Sequence, residues 1–168
     1  MKSAEHSSLP ATRAAPETVL REIRMVAYAL MNSFLIQQRL YGDYLGLSPT
    51  RATVFLTVMA ASTQRFARLP ELDDSYRGAK VLPRSEVIPI SRRAVAAATN
   101  LPRETVRRIV AELIESGHLL DVGRRGVTPR IGEILTDPAQ DLIRNLTTEV
   151  SRLTNELAKL GALVEAAS

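Results

Sequence analysis

The stretch Ile90–Leu120 reads ISRRAVAAATNLPRETVRRIVAELIESGHLL, and its spacing decides the fold. Val106, Ile109, Val110 and Leu113 recur three and four residues apart, the period of a helix with one apolar face. At about 100° per residue, Arg103, Glu104, Arg107 and Arg108 cover an arc turned away from them. Upstream, Val95 and Ala96 lie on a short alanine-rich run. Between the two runs stands Asn100, a residue that tolerates left-handed backbone better than most.

Two helices that cross closely need apolar residues where they meet, a small residue at the tightest contact and a permissive residue in the bend. Val95, Leu101, Val106 and Ile109 meet the first need, Ala96 the second and Asn100 the third. The joint match predicts a helix-turn-helix with its second helix over 102–116. In such motifs the exposed N-terminal end of that helix enters a major groove of DNA. Arginine suits the task because its planar fork can hold guanine O6 and N7 together, and glutamate can accept from cytosine N4. Glu104 and Arg108, four apart, also fit a plain surface ion pair worth a few tenths of a kcal/mol. The neighbouring elements decide between the two readings.

Those neighbours favour nucleic acid. LLDVGRRGVTPRI, residues 119–131, is two short apolar runs around a Gly-Arg-Arg-Gly tip, a predicted β-hairpin whose Pro129 confines the second strand to an edge. Arg124 and Arg125 at its tip are placed to reach a minor groove or phosphates. Between Ser91 and Arg130 lie Arg92, Arg93, Arg103, Arg107, Arg108, Arg124, Arg125 and Arg130, against Glu104, Glu112, Glu115 and Asp121. That excess of four positive charges equals the net +4 of the whole 168-residue chain. Phosphate neutralisation by such residues supplies sequence-independent affinity and makes it salt-sensitive.

The segment Ile90–Val110 resembles the winged helix-turn-helix of the Crp/Fnr regulators, most closely through RETVRRIV. The resemblance implies that Arg103, Glu104 and Arg108 read bases and that Ser91, Arg92 and Thr105 hold phosphates. Two positions depart from the pattern: Pro102 replaces a usual serine, losing a cap and a phosphate contact, and Asn100 stands where glycine is common. Nothing upstream resembles that family's nucleotide-binding β-barrel, so nucleotide sensing is not carried over. The order of elements resembles MarR-type regulators instead, whose outer helices form the dimer.

The rest of the chain supplies those outer helices. Residues 1–15 read as a disordered tail, and 16–67 as N-terminal helices opened by Pro16 and by Ser48-Pro49. Leu20, Ile23, Ala27, Leu30 and Phe34 form one apolar stripe, widened by Met31 and Leu35. Residues 68–90 read as a proline-containing loop that ends in a short edge strand near Val87–Ile90. Residues 91–131 are the DNA-binding region. A last helix is expected over 137–168, with Leu146, Val150, Leu153, Leu157 and Leu160 on a heptad seam for dimerisation. Whether that seam pairs two chains or packs within one is open.

The expected fold class is mainly α: a winged helix-turn-helix with a small β-hairpin wing between long terminal dimerisation helices. Aromatics at 4% and the lack of tryptophan argue against a sheet-rich core. Without cysteine there is no disulfide, thiolate chemistry or cysteine-bound metal. The longest apolar run, Met25–Ile36, is too short and too interrupted to span a bilayer. His6 and His118 are the only histidines, and no catalytic or metal-binding constellation is visible, so an enzyme is not expected. The chain reads as a cytoplasmic homodimer that binds double-stranded DNA and regulates transcription, with no cofactor, no metal and no membrane partner. Two other readings use the same module: a plasmid or phage replication or partition factor, and a protein-interaction adaptor. A small-molecule effector is left open, with Phe34, Phe55 and Met59 as the residues near any such pocket.

Overall fold

The computed structural model describes residues 11–68, 84–130 and 136–166. Among these residues the chain is mainly helical, with six α-helices and two small two-stranded antiparallel sheets. It divides into two compact units, one of residues 1–39 with 144–168 and one of residues 40–143.

The unit of residues 40–143 is organised by three helices: α3 (Pro49–Arg68), α4 (Arg92–Thr99) and α5 (Arg103–Glu115). Their apolar faces meet in one core of Val54, Phe55, Val58, Val95, Ala96, Val106, Ile109, Val110 and Leu113, closed by Leu119 and Val127. Burying each of the larger side chains contributes about 1.5–3 kcal/mol. Between α4 and α5 the backbone turns at Asn100 in the left-handed region, φ 54°. Ser91 caps α4, its Oγ accepting from the Ala94 N–H at 3.1 Å, whereas Pro102 gives α5 no side-chain cap.

After α5, β2 (Leu119–Asp121) and β3 (Val127–Pro129) pair antiparallel with Leu119 opposite Pro129 and Asp121 opposite Val127. A single 3-10 turn, Gly123–Arg125, joins them. Pro129, expected to confine β3 to an edge, is buried, and the other end of β3 is paired a second time. There Ile90 and Val127 exchange both backbone hydrogen bonds, at 3.0 and 2.9 Å. The expected strand near Val87–Ile90 is thus a one-residue bridge that follows a 3-10 turn at Arg84–Glu86. The remainder of the expected loop, residues 69–83, lies outside the described residues.

In the unit of residues 1–39 and 144–168 the expected tail is corrected. Thr12–Ala14 forms β1, which pairs antiparallel with β4 (Leu163–Glu165), so backbone donors there are satisfied by a partner distant in sequence. Residues 1–10 lie outside the described residues. Pro16 opens α1 (Pro16–Arg21) at the predicted first position, a break follows at Glu22, and α2 runs Ile23–Leu45. The final helix, α6 (Asp137–Lys159), stops short of the expected end. Gly161 at φ 69° ends it: its N–H donates to Ala158 and the Ala162 N–H to Leu157, satisfying the last carbonyls. The heptad leucines run on to Leu160, but a glycine in this conformation ends a helix whatever follows. No helix among the described residues is long and apolar enough to cross a membrane.

Candidate nucleic-acid interface

Helix α5 fixes the site. Val106, Ile109, Val110 and Leu113 are each at most 2% exposed, so the helix cannot rotate without opening the core. Arg103, Glu104, Arg107 and Arg108 therefore lie in solvent on the other side. Because Pro102 supplies no cap, the first-turn N–H groups of α5 also have no side-chain partner from that residue.

The charges are not equally free. Glu104 is gripped by the Arg107 guanidinium through both carboxylate oxygens, and that hydrogen bond holds its carboxyl below the usual value. Arg108 turns the other way along the helix, its Nη1 donating to Glu112 Oε1 at 2.7 Å. These two form in place of the Glu104–Arg108 pair that the spacing also allowed. The three-residue step brings Arg107 onto Glu104, and Glu112 is held by a second arginine besides. That second arginine is Arg51, at the start of α3, whose Nε donates to Glu112 Oε2 at 2.8 Å. Arg103 and Arg93 are exposed and have no ion-pair partner among the described residues.

Thr105 is half-buried in a shallow crevice of about 420 Å³ with Ser48, Thr50, Arg51, Arg108 and Ile109. Ser91 uses its Oγ lone pair in the cap of α4, which leaves its hydroxyl hydrogen to donate elsewhere. Arg92 is engaged: its Nη2 donates to Asp121 Oδ2 at 2.9 Å, while Asp121 Oδ1 accepts from the Gly123 N–H at 2.9 Å. The Arg92 guanidinium first, and the Gly123 amide second, hold the Asp121 carboxyl below its usual value. One carboxylate thereby ties the start of α4 to the turn that carries Arg124 and Arg125, both exposed. Arg130 is exposed beyond β3 and lines, with Arg84, Gly117 and Asp121, a separate open crevice of about 490 Å³.

Sequence reasoning missed Arg51 and the linking role of Asp121. Arg51 lies 61 residues from its carboxylate, and no local pattern marks such a pair. His118 is a packing residue: its ring stands edge-on to Phe55 at 5.8 Å and its Nδ1 lies 2.8 Å from Ser116 Oγ. Phe55 is a core residue and Phe34 is 60% exposed. Among the described residues no cluster of His, Asp or Glu has the make-up of a metal site.

The seam residues of α6 are not uniformly open. Leu146 is buried at 9% exposure, Leu153, Leu157 and Leu160 are partly covered, and Val150 is 50% exposed. Compared with protein-family models, with curated proteins and with solved structures, the chain finds no match.

Proposed function

We propose that the protein is a winged helix-turn-helix regulator of transcription that binds double-stranded DNA as a homodimer, with β2, β3 and their turn as the wing. One observation carries the reading: α5 buries its apolar face completely and presents Arg103, Glu104, Arg107 and Arg108 to solvent on the opposite side. A helix held so rigidly pays little entropy when its charged edge enters a major groove. Arg103 is the base reader, with no ion pair among the described residues to release before it engages. For Arg107 and Arg108, contact with DNA exchanges a carboxylate for a base edge or a phosphate. Ser91, Arg92, Arg93 and Thr105 hold phosphates beside α5, and Arg124, Arg125 and Arg130 hold the backbone or minor groove beside the wing.

In a symmetric dimer the two α5 helices occupy successive major grooves about 34 Å apart, so the preferred site is an inverted repeat. The reading is of a cytoplasmic binding protein and not an enzyme. Selection of duplexes from a random library, followed by electrophoretic shift of the winners, tests it. The expected result is an enriched inverted repeat whose affinity falls as salt rises; absence of any shift at low salt overturns the proposal.

A further inference from the structure

The apolar stripe of the N-terminal helices is turned outward. In α2 the buried residues are Val26, Ala29 and Ser33, on one side of the helix. The large residues of that stripe are exposed: Leu20 69%, Ile23 53%, Leu30 47%, Met31 61%, Phe34 60% and Leu35 64%. At about 100° per residue, those on α2 fall within an arc of about 140°. Exposing roughly 100 Å² each, the six present on the order of 600 Å², at the upper limit of what a monomer leaves as one apolar patch. A standard interface takes about 800 Å² from each partner, so this face supplies most of one side.

We propose that this face of α2 is the dimerisation surface, and that its occupant is the same face of a second copy, lying antiparallel across a two-fold axis near Leu30 and Met31. Three features select a second copy. From Met25 to Gln38 the helix carries no charge, so the face has nothing with which to specify a charged partner. A helix lying in a membrane surface needs a basic polar side; here the other side is buried through Val26, Ala29 and Ser33. Finally, the face is self-complementary. An axis between Leu30 and Met31 sets those two against each other and places Phe34 of one copy opposite the small Ala27 of its mate, a large side chain facing a gap. Val150 is half exposed on α6, but the remainder of the heptad seam is too covered to be the main contact. The surface rests on the proposed function only in that both require two copies.

The test is solution mass by light scattering for the full chain, for Phe34→Glu, and for the double variant Ala27→Lys with Phe34→Glu. Dimer, monomer and restored dimer are the expected results, because lysine and glutamate of opposite copies meet in the antiparallel register. A monomeric wild type, or a Phe34→Glu chain that remains dimeric, overturns the proposal. Should Phe34→Glu lose its helical circular dichroism, cross-linking decides. The chain has no cysteine, so Met31→Cys oxidised or bridged by a short bismaleimide should give a covalent dimer, and Gln64→Cys on α3 should not. Equal cross-linking of both overturns it as well. A dimer that shifts no DNA would remove the proposed function and leave this surface standing.

Discussion

Arg51 and Glu112, 61 residues apart in sequence, form an ion pair at 2.7 Å that holds α5 by its charged side to the start of α3. The same carboxylate takes Arg108 on its other oxygen. Its pKa is lowered by Arg51 first and, after the opposing effect of desolvation, by Arg108. Glu112 is therefore charged at neutral pH and sets where the Arg108 guanidinium rests.

The first prediction follows from that arrangement. Arg51→Ala releases Glu112 and lets Arg108 wander, so discrimination between the selected site and a scrambled duplex should drop by up to about fivefold, consistent with a partly exposed pair worth about 1 kcal/mol or less. Arg51→Lys should restore part of it. Competition binding at fixed salt checks this; an unchanged ratio in Arg51→Ala means the pair does not position Arg108.

Much of the segment 91–131 was legible because its signals are local. Asn100 adopts the left-handed turn expected of it, and Val95, Ala96, Val106 and Ile109 are buried as their spacing predicts. The outer helices were read less well. Periodicity reveals that α2 has an apolar stripe, yet it cannot tell a face buried in its own chain from one left open, and the stripe through Phe34 is open. The pairing of Thr12–Ala14 with Leu163–Glu165 joins the two ends of the chain, a contact that no sequence window spans. Ion-pair partners are harder still: Arg107 and Arg108 had several carboxylates within reach, and rotamers chose among them.

Gly126 should be the least replaceable residue of the hairpin. Its φ is +115°, and an added Cβ would fall 2.2 Å from the Ile90 carbonyl oxygen, which is backbone and cannot swing aside. Gly126→Ala must break the Ile90–Val127 bridge or strain the turn, at a cost of about 2 kcal/mol or more. The urea midpoint reports it; a midpoint equal to wild type would mean that the strand yields freely.

Ser62 predicts the opposite sign. It is fully buried on α3, and its Oγ has no hydrogen-bond partner among the described residues. Ser62→Ala removes a desolvated hydroxyl and should leave stability unchanged or raise it by about 1 kcal/mol. A clear loss in thermal or urea denaturation would show that the hydroxyl is engaged after all.

Acid should weaken the unit that contains Glu149. This residue is only 6% exposed, and its carboxyl is held below the ordinary value of 4.5 by Arg152 first and by the Ser33 hydroxyl as well. A carboxylate whose folded pKa lies below its unfolded one contributes fully above the unfolded value, and loses that contribution as pH falls through the folded value. The urea midpoint should thus hold from neutrality to about pH 5 and then decline. Glu149→Gln should start lower and decline less steeply. It will not become flat, because Glu104, Glu112 and Asp121 are shifted in the same direction.

Arg103 and Arg92 separate base reading from backbone holding. Arg103 has no carboxylate partner among the described residues, so its removal uncovers no stranded charge there and reports on the proposed contact with DNA. Arg103→Ala should cost about 1–3 kcal/mol on the selected site, with little loss on scrambled DNA. Arg92 is paired with Asp121, so Arg92→Ala both removes the proposed phosphate contact and leaves a bare carboxylate beside the β2–β3 turn. It should weaken all duplexes alike and reduce the slope of log affinity against log salt by about 0.9. Arg92→Ala with Asp121→Asn isolates the two effects: affinity should partly recover because the repelling charge is gone, while the slope stays reduced. If Arg103→Ala and Arg92→Ala lower matched and scrambled binding equally, α5 grips the backbone and reads no base.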